Sequence, residues 1–197
     1  QYNDFSSNTY SITSGESCKY NTFSENCNGI TLGDGCDSNS FGNNNYTITL
    51  GDKCDDNSFG NGNYTITMGH DSDYNVFDTC VHNITMANNV IQSFFGSRSY
   101  TITLDAYNDR NWFGSEAHNI RLCSHCGNNT FEQYIANIYL GKVDNTTYYT
   151  GSTWYITGNL FRSNINNITV QFKSATSGFN FQDNIFNKTS GTYNQAY

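Results

Sequence analysis

Cys36-Asp37-Ser38-Asn39-Ser40-Phe41-Gly42-Asn43 returns one repeat later as Cys54-Asp55-Asp56-Asn57-Ser58-Phe59-Gly60-Asn61, and this pair decides the fold. Outward from it, phenylalanine recurs at Phe5, Phe23, Phe41, Phe59, Phe77, Phe95, Phe113 and Phe131, always with the same 18-residue step. Isoleucine keeps the same beat in the second half of each repeat, at Ile12, Ile30, Ile48, Ile66, Ile84, Ile102, Ile120 and Ile138. A strict period of this length is the signature of a solenoid, in which one repeat is one turn of chain that buries its apolar face only by stacking on its neighbours.

Further columns follow from the alignment. Two residues before each phenylalanine stand Asn3, Asn21, Asn39, Asn57, Asn75, Ser93, Asn111 and Asn129, with Ser93 the one departure. Two after each isoleucine, from the second coil on, stand Leu32, Leu50, Met68, Met86, Leu104, Leu122 and Leu140, so each coil holds an apolar-polar-apolar strand with one buried face. The coil divides into two related nines, Cys18-x-x-Asn21-x-Phe23 and Cys27-x-x-Ile30-x-Leu32, which puts inward positions at the first, fourth and sixth places of each. Gly, Asn and Asp gather between the strands, as in Gly33-Asp34-Gly35 and Gly60-Asn61-Gly62, where turns need them. No helical periodicity is present. The expected fold is all-β, a parallel β-helix (β-solenoid) of 18-residue coils; the spacing leaves open the handedness and whether a turn has two or three faces.

Equivalent residues of successive coils should lie about 4.8 Å apart, the spacing of hydrogen-bonded strands. Every column then becomes a ladder. Buried asparagines can donate to the coil above and accept from the coil below, and the phenylalanines can stack in the core. A core this narrow needs few apolar residues, which accommodates a hydrophobic content of 36% and a charged content of 13%. The strict period excludes the disorder that such a composition otherwise suggests.

The formal net charge is -8 and the nine Lys and Arg are scattered, which argues against a nucleic-acid phosphate footprint. No apolar run is long enough to insert in a membrane. The sequence begins at Gln1 without Met, as expected of a processed product or the ordered part of a longer chain. Seven cysteines, with Cys18, Cys36 and Cys54 in one column and Cys126 further along, read as a ladder of small buried thiols. Stacked cysteines have a suitable Cα separation for a disulfide, yet their Cβ vectors run parallel. Cysteine usage therefore leaves the redox compartment open.

After Ile138 the phase slips. The asparagine that opens each unit moves from Asn129 to Asn159-Leu160-Phe161 and then to Asn184-Ile185-Phe186, both steps longer than one coil. The expected organisation is a regular solenoid over 1–141, an aromatic insertion loop over 142–158, and irregular terminal coils over 159–197, with a second protruding segment from about 171 to 182. Insertions in repeat proteins map to loops on one face, often the binding face. Tyr148, Tyr149, Trp154 and Tyr155 are the candidate site residues, suited to stacking on sugar rings, to contacting a partner chain, or to capping the rod.

Carboxylates are not gathered as in polysaccharide hydrolases, so no catalytic residue is assigned. Asp34, Asp37, Asp52, Asp55, Asp56, Asp71 and Asp73 fall on successive turns, where Asp is ordinary, although paired nine-residue units also resemble calcium-loaded β-rolls. The β-roll glycine pattern is not reproduced. His118, Cys123, His125 and Cys126 offer soft ligands at close spacing for zinc, but Cys126 belongs to the inward ladder, so no metal or cofactor is expected. Thr13, Thr31, Thr49, Thr67, Thr85 and Thr103 form a column that resembles ice-binding solenoids and that β-propensity also explains.

The repeat Cys18-Lys19-Tyr20-Asn21-Thr22-Phe23 and Cys36-Asp37-Ser38-Asn39-Ser40-Phe41-Gly42-Asn43 resembles the Cys-x-x-Asn-[Ser/Thr]-Phe-Gly-Asn repeat proteins of gut Bacteroidetes and their phages. The likeness covers about residues 1 to 141 and is degenerate after the fourth coil, where Ser72, Val90 and Asn108 replace Cys. It implies a surface-exposed β-solenoid, on a virion or outside the cell, as a fibre, tail or head appendage that is commonly trimeric. The expected role is structural and adhesive, with a host-surface glycan or receptor as partner. The alternatives are a polysaccharide-depolymerising tailspike and a secreted calcium- or ice-binding solenoid.

Overall fold

A computed structural model describes residues 2–122, 125–141, 154–162, 164–171, 179–187 and 192–196. All regular structure within them is β, and all strand pairings are parallel and run from coil to coil. The two-residue strands at the phenylalanines, from Asp4–Phe5 to Ile185–Phe186, form one ten-stranded sheet. The longer strands at the isoleucines, from Tyr10–Ser14 to Thr192–Ala196, form a second ten-stranded sheet. A third sheet of four strands begins later, at Asn108–Asp109, and continues through Cys126–Gly127, Trp154–Thr157 and Phe179–Gln182. The coil therefore has a third face, which the spacing alone left open.

The inward positions are those the two nines require. In one coil Cys36, Asn39, Phe41, Asn45, Ile48 and Leu50 are all buried, and in the next Cys54, Asn57, Phe59, Asn63, Ile66 and Met68. The phenylalanine rings form an unbroken stack from Phe5 to Phe186, with centroids 4.7 to 5.0 Å apart and planes within 6° of parallel. That step is the coil rise itself, so the backbone ladder and the aromatic stack share one repeat.

The corners carry the local chemistry. In each coil the residue just before an inward one takes a left-handed conformation, as at Gly35 (φ 63), Ser38 (φ 55) and Asn44 (φ 55). Tyr20, Lys53, Cys80, Arg98 and Glu116 do the same, at a cost to an L-residue of about 1 kcal/mol or more. The turn aims two successive N–H groups at the following coil. Ser38 donates to the Asp55 carbonyl at 3.0 Å, and Asn39 donates to Asn57 Oδ1 at 2.9 Å. The next N–H turns back, from Ser40 to the Asn21 carbonyl at 2.9 Å. These bonds satisfy backbone donors that a buried corner would otherwise orphan.

The period slips, expected as loops, both end in strand. Trp154–Thr157 pairs with Cys126–Gly127, with Ile156 opposite Cys126, and Phe179–Gln182 pairs with Trp154–Thr157. The boundary drawn at 158 thus falls inside a coil, because the third face resumes the ladder before the next asparagine. Residues 142–153 and 172–178 lie outside the described residues.

Candidate functional site: an outward aromatic ladder

One residue past the inward column of Asn45, Asn63, Val81, Ser99 and Ala117, the chain turns outward at Tyr46, Tyr64, His82, Tyr100 and His118. Each is pinned by its backbone N–H to the coil before: Tyr46 to the Cys27 carbonyl at 3.0 Å, Tyr64 to Asn45 at 2.9 Å, His82 to Asn63 at 2.8 Å, Tyr100 to Val81 at 3.0 Å, and His118 to Ser99 at 2.9 Å. The rings consequently stack, with centroids 4.9, 5.0, 4.4 and 4.9 Å apart and planes within 9°. Tyr46, Tyr64 and Tyr100 remain more than two-fifths exposed. Because each inner ring's faces are covered by its neighbours, the ladder presents edges and polar tips to solvent. The residues that follow directly in sequence are Thr47, Thr65, Asn83, Thr101 and Asn119, a parallel polar column in which Thr47 and Thr65 are paired in register. The result is a ridge about 19 Å long, four coil steps at ~4.8 Å, that can exchange hydrogen bonds with a hydroxyl-rich ligand.

The residues singled out on the sequence are distributed otherwise. Tyr148 and Tyr149 lie outside the described residues. Trp154 and Tyr155 open the third-sheet strand, in register with Phe179 and Asn180, and so belong to a different sheet from the one the ladder adjoins. Of the zinc candidates, His118 stacks on Tyr100, His125 stacks on Tyr107, and Cys126 is buried; Cys123 is outside the described residues. The fold thus divides them between corners and core. No group of three or more His, Cys, Asp or Glu side chains is arranged to hold a metal ion among the described residues.

The aspartates of the turns act as backbone acceptors. Asp34 Oδ1 takes the Asp52 N–H at 2.9 Å, and Asp52 Oδ1 takes the His70 N–H at 2.8 Å. On the neighbouring column Asp37, Asp55 and Asp73 accept in turn from Asp55, Asp73 and Ile91, at 3.1, 2.7 and 2.8 Å. Lys19 Nζ sits 2.5 Å from Asp37 Oδ2 at the lower end of that column. Burial pushes the carboxyls of Asp55 and Asp73 up from the ordinary range. At Ile91 the side-chain acceptor is lost, and there Asp109 donates to the Val90 carbonyl instead, at 3.1 Å, with Ile91 bridging Asp109. The third sheet starts just after Ile91 interrupts the acid column, with Asp109 of that same column in its first strand.

The sequence does not single out the ladder tyrosines because their column is mixed: Tyr10 and Asn28 precede it and Ala136 follows. The repeated Asn-Tyr-Thr triplets Asn45-Tyr46-Thr47 and Asn63-Tyr64-Thr65, one coil apart, are the signal that could have found it. No protein-family model, no curated protein and no solved structure matches the chain, so the site stands on its own geometry.

Proposed function

We propose that the chain is a structural and adhesive rod, the shaft or receptor-binding part of a phage or cell-surface appendage, which holds a hydroxyl-rich surface glycan along the Tyr46–His118 ridge. The observation that carries this reading is the ladder itself, five aromatic rings stepped at the coil rise beside Thr47, Thr65 and Thr101 on a rigid β-stack. Tyrosine suits such a surface because it gives contact area and a hydroxyl for little conformational entropy. The resemblance of residues 1 to 141 to phage-associated repeats supports the setting.

Binding of the purified chain to immobilised host capsular polysaccharide tests it. Retention that falls at least tenfold in Tyr64→Ala/Tyr100→Ala, with melting unchanged, supports the ridge; equal retention by that variant overturns it. Release of reducing ends from the polysaccharide would instead make the chain a depolymerase.

A second reading has one observation in its favour. Thr31, Thr49, Thr67, Thr85 and Thr103 are in register on the outer face of the isoleucine sheet. With Thr47 and Thr65 they make a grid about 4.8 by 6.7 Å that could order water. Growth of unshaped ice crystals in the protein's presence would remove this reading.

A further inference from the structure

The outward column of the phenylalanine sheet changes character part-way along the rod. It reads Asp4, Thr22, Ser40 and Ser58, then Val76, Phe94, Trp112, Thr130, Leu160 and Ile185, in continuous register. Val76, Phe94 and Ile185 are 43%, 41% and 58% exposed. The Phe94 and Trp112 rings stack at 4.3 Å along the rod, and Trp112 Nε1 donates to Glu132 Oε1 at 3.1 Å, which fixes the indole in place with its outer edge facing away from the sheet. Thr130 is the one polar residue within the strip, and polar side chains border it, with Gln92, Arg110 and Asn128 on one side and the Glu132–Arg162 pair on the other. An apolar centre with a polar rim is the anatomy of a protein–protein interface.

Charge changes at the same place. Residues 1–73 hold ten of the 17 Asp and Glu and two of the nine Lys and Arg, which is the whole net charge of -8; residues 74–197 hold seven of each and are neutral.

We infer that the Val76–Ile185 strip is the contact between two copies of this chain, packed face to face with their rods antiparallel. From Val76 to Ile185 the strip runs five coil steps of ~4.8 Å, about 24 Å, so with its rims a pair buries on the order of 1,000 Å² in total, the threshold for a specific interface. A twofold axis midway along it, between the Trp112 and Thr130 coils, sets Val76 against Ile185, Phe94 against Leu160 and Trp112 against Thr130. On the rims it sets Tyr74 opposite Asp183 and Asp78 opposite Asn187, with no like charges facing. The acidic segments decide the direction. A parallel pair would hold two segments of charge -8 side by side at about 10 Å, comparable with the Debye length at physiological salt. The antiparallel pair separates their centres by roughly 50 Å, ten coil steps. The polar Ser40 and Ser58 faces then lie outside the contact, as their composition suits. This inference is independent of the glycan reading, since the ridge adjoins a different sheet.

Sedimentation equilibrium of the chain at micromolar concentration tests the contact. The expected result is a dimer, converted to monomer by Trp112→Glu and left dimeric by Ser58→Glu, with melting of both variants confirming that the rod still folds. Direction is read by oxidative cross-linking: Val76→Cys/Ile185→Cys should give a covalent dimer and Ser58→Cys none. A monomer or trimer of the unmodified chain, or a cross-linked Ser58→Cys dimer, overturns the inference.

Discussion

Asn39 Oδ1 accepts two hydrogen bonds from Asn21, one from its backbone N–H and one from its side-chain amide, each at 2.9 Å. Asn39 Nδ2 in turn donates forward to Asn57 Oδ1 at 3.1 Å and back to the Cys18 carbonyl at 2.8 Å. One side chain thus serves three coils. Asn39→Ala would leave two donors of Asn21 buried without acceptors, at a cost of roughly 2–6 kcal/mol from ~1–3 kcal/mol for each. Asn39→Ser should cost less, because Ser93 shows the compromise: its hydroxyl still takes the Asn75 N–H, at 3.2 Å. Denaturant unfolding of the two variants checks the order.

Phe59 lies between Phe41 and Phe77 with centroids at 4.8 and 4.7 Å and is fully buried. Phe59→Ala should destabilise the rod by about 3–5 kcal/mol, the usual range for emptying an aromatic core site. Phe59→Leu should recover much of that. Unchanged melting of Phe59→Ala would contradict the shared stack.

Acid should stabilise the turns before it unfolds the chain. Burial raises Asp55 and Asp73, and for each the neighbouring aspartate adds to the shift. A carboxyl whose folded pKa lies above its unfolded value favours the folded state when protonated, so its contribution is present at low pH and is lost as pH rises through the folded pKa. Melting temperature should therefore rise by a few degrees as pH falls from neutral toward the carboxylate range. Asp55→Asn/Asp73→Asn keeps the Oδ1 acceptors, removes two charges and should flatten that rise while increasing stability at neutral pH. A melting temperature that falls steadily on acidification would refute the account.

Cys54 is buried, and burial pushes its thiol up to about 12, while its Sγ accepts the Cys36 N–H at 3.4 Å. A thiol so held has almost no thiolate at neutral pH. Iodoacetamide on the native chain should spare Cys27, Cys36, Cys54 and Cys126 and modify the partly exposed Cys18 and Cys80 first, as read by peptide mass spectrometry. In denaturant the buried four should react at the same rate as Cys18 and Cys80.

The Asp34 and Asp37 columns show where sequence reading stops. Asp in a turn is expected anywhere, so composition gives no reason to assign it more than solvation. Only with adjacent coils in place does Asp34 Oδ1 meet the Asp52 N–H, and only there is it visible that the first bridge of the third face forms at Ile91, where the column brings no side-chain acceptor. The ladder at Tyr46 is similar, since a mixed column of Tyr and His becomes a surface once its rings stack with one orientation and one spacing.

The repeat alone dictated the coil: its length, its six inward places, and the stacking of Asn39 on Asn57 and Phe41 on Phe59. It could do so because side chains one coil apart are the only partners a narrow core offers, and identity in a column is the condition for stacking. The folded arrangement set the corners, the third face and the change of surface at Val76. Left-handed residues such as Tyr20, Arg98 and Glu116 carry no glycine signature, because the conformation is stabilised by an N–H that finds a carbonyl one coil ahead. A bond of that kind involves no side chain, so it leaves no mark on the sequence.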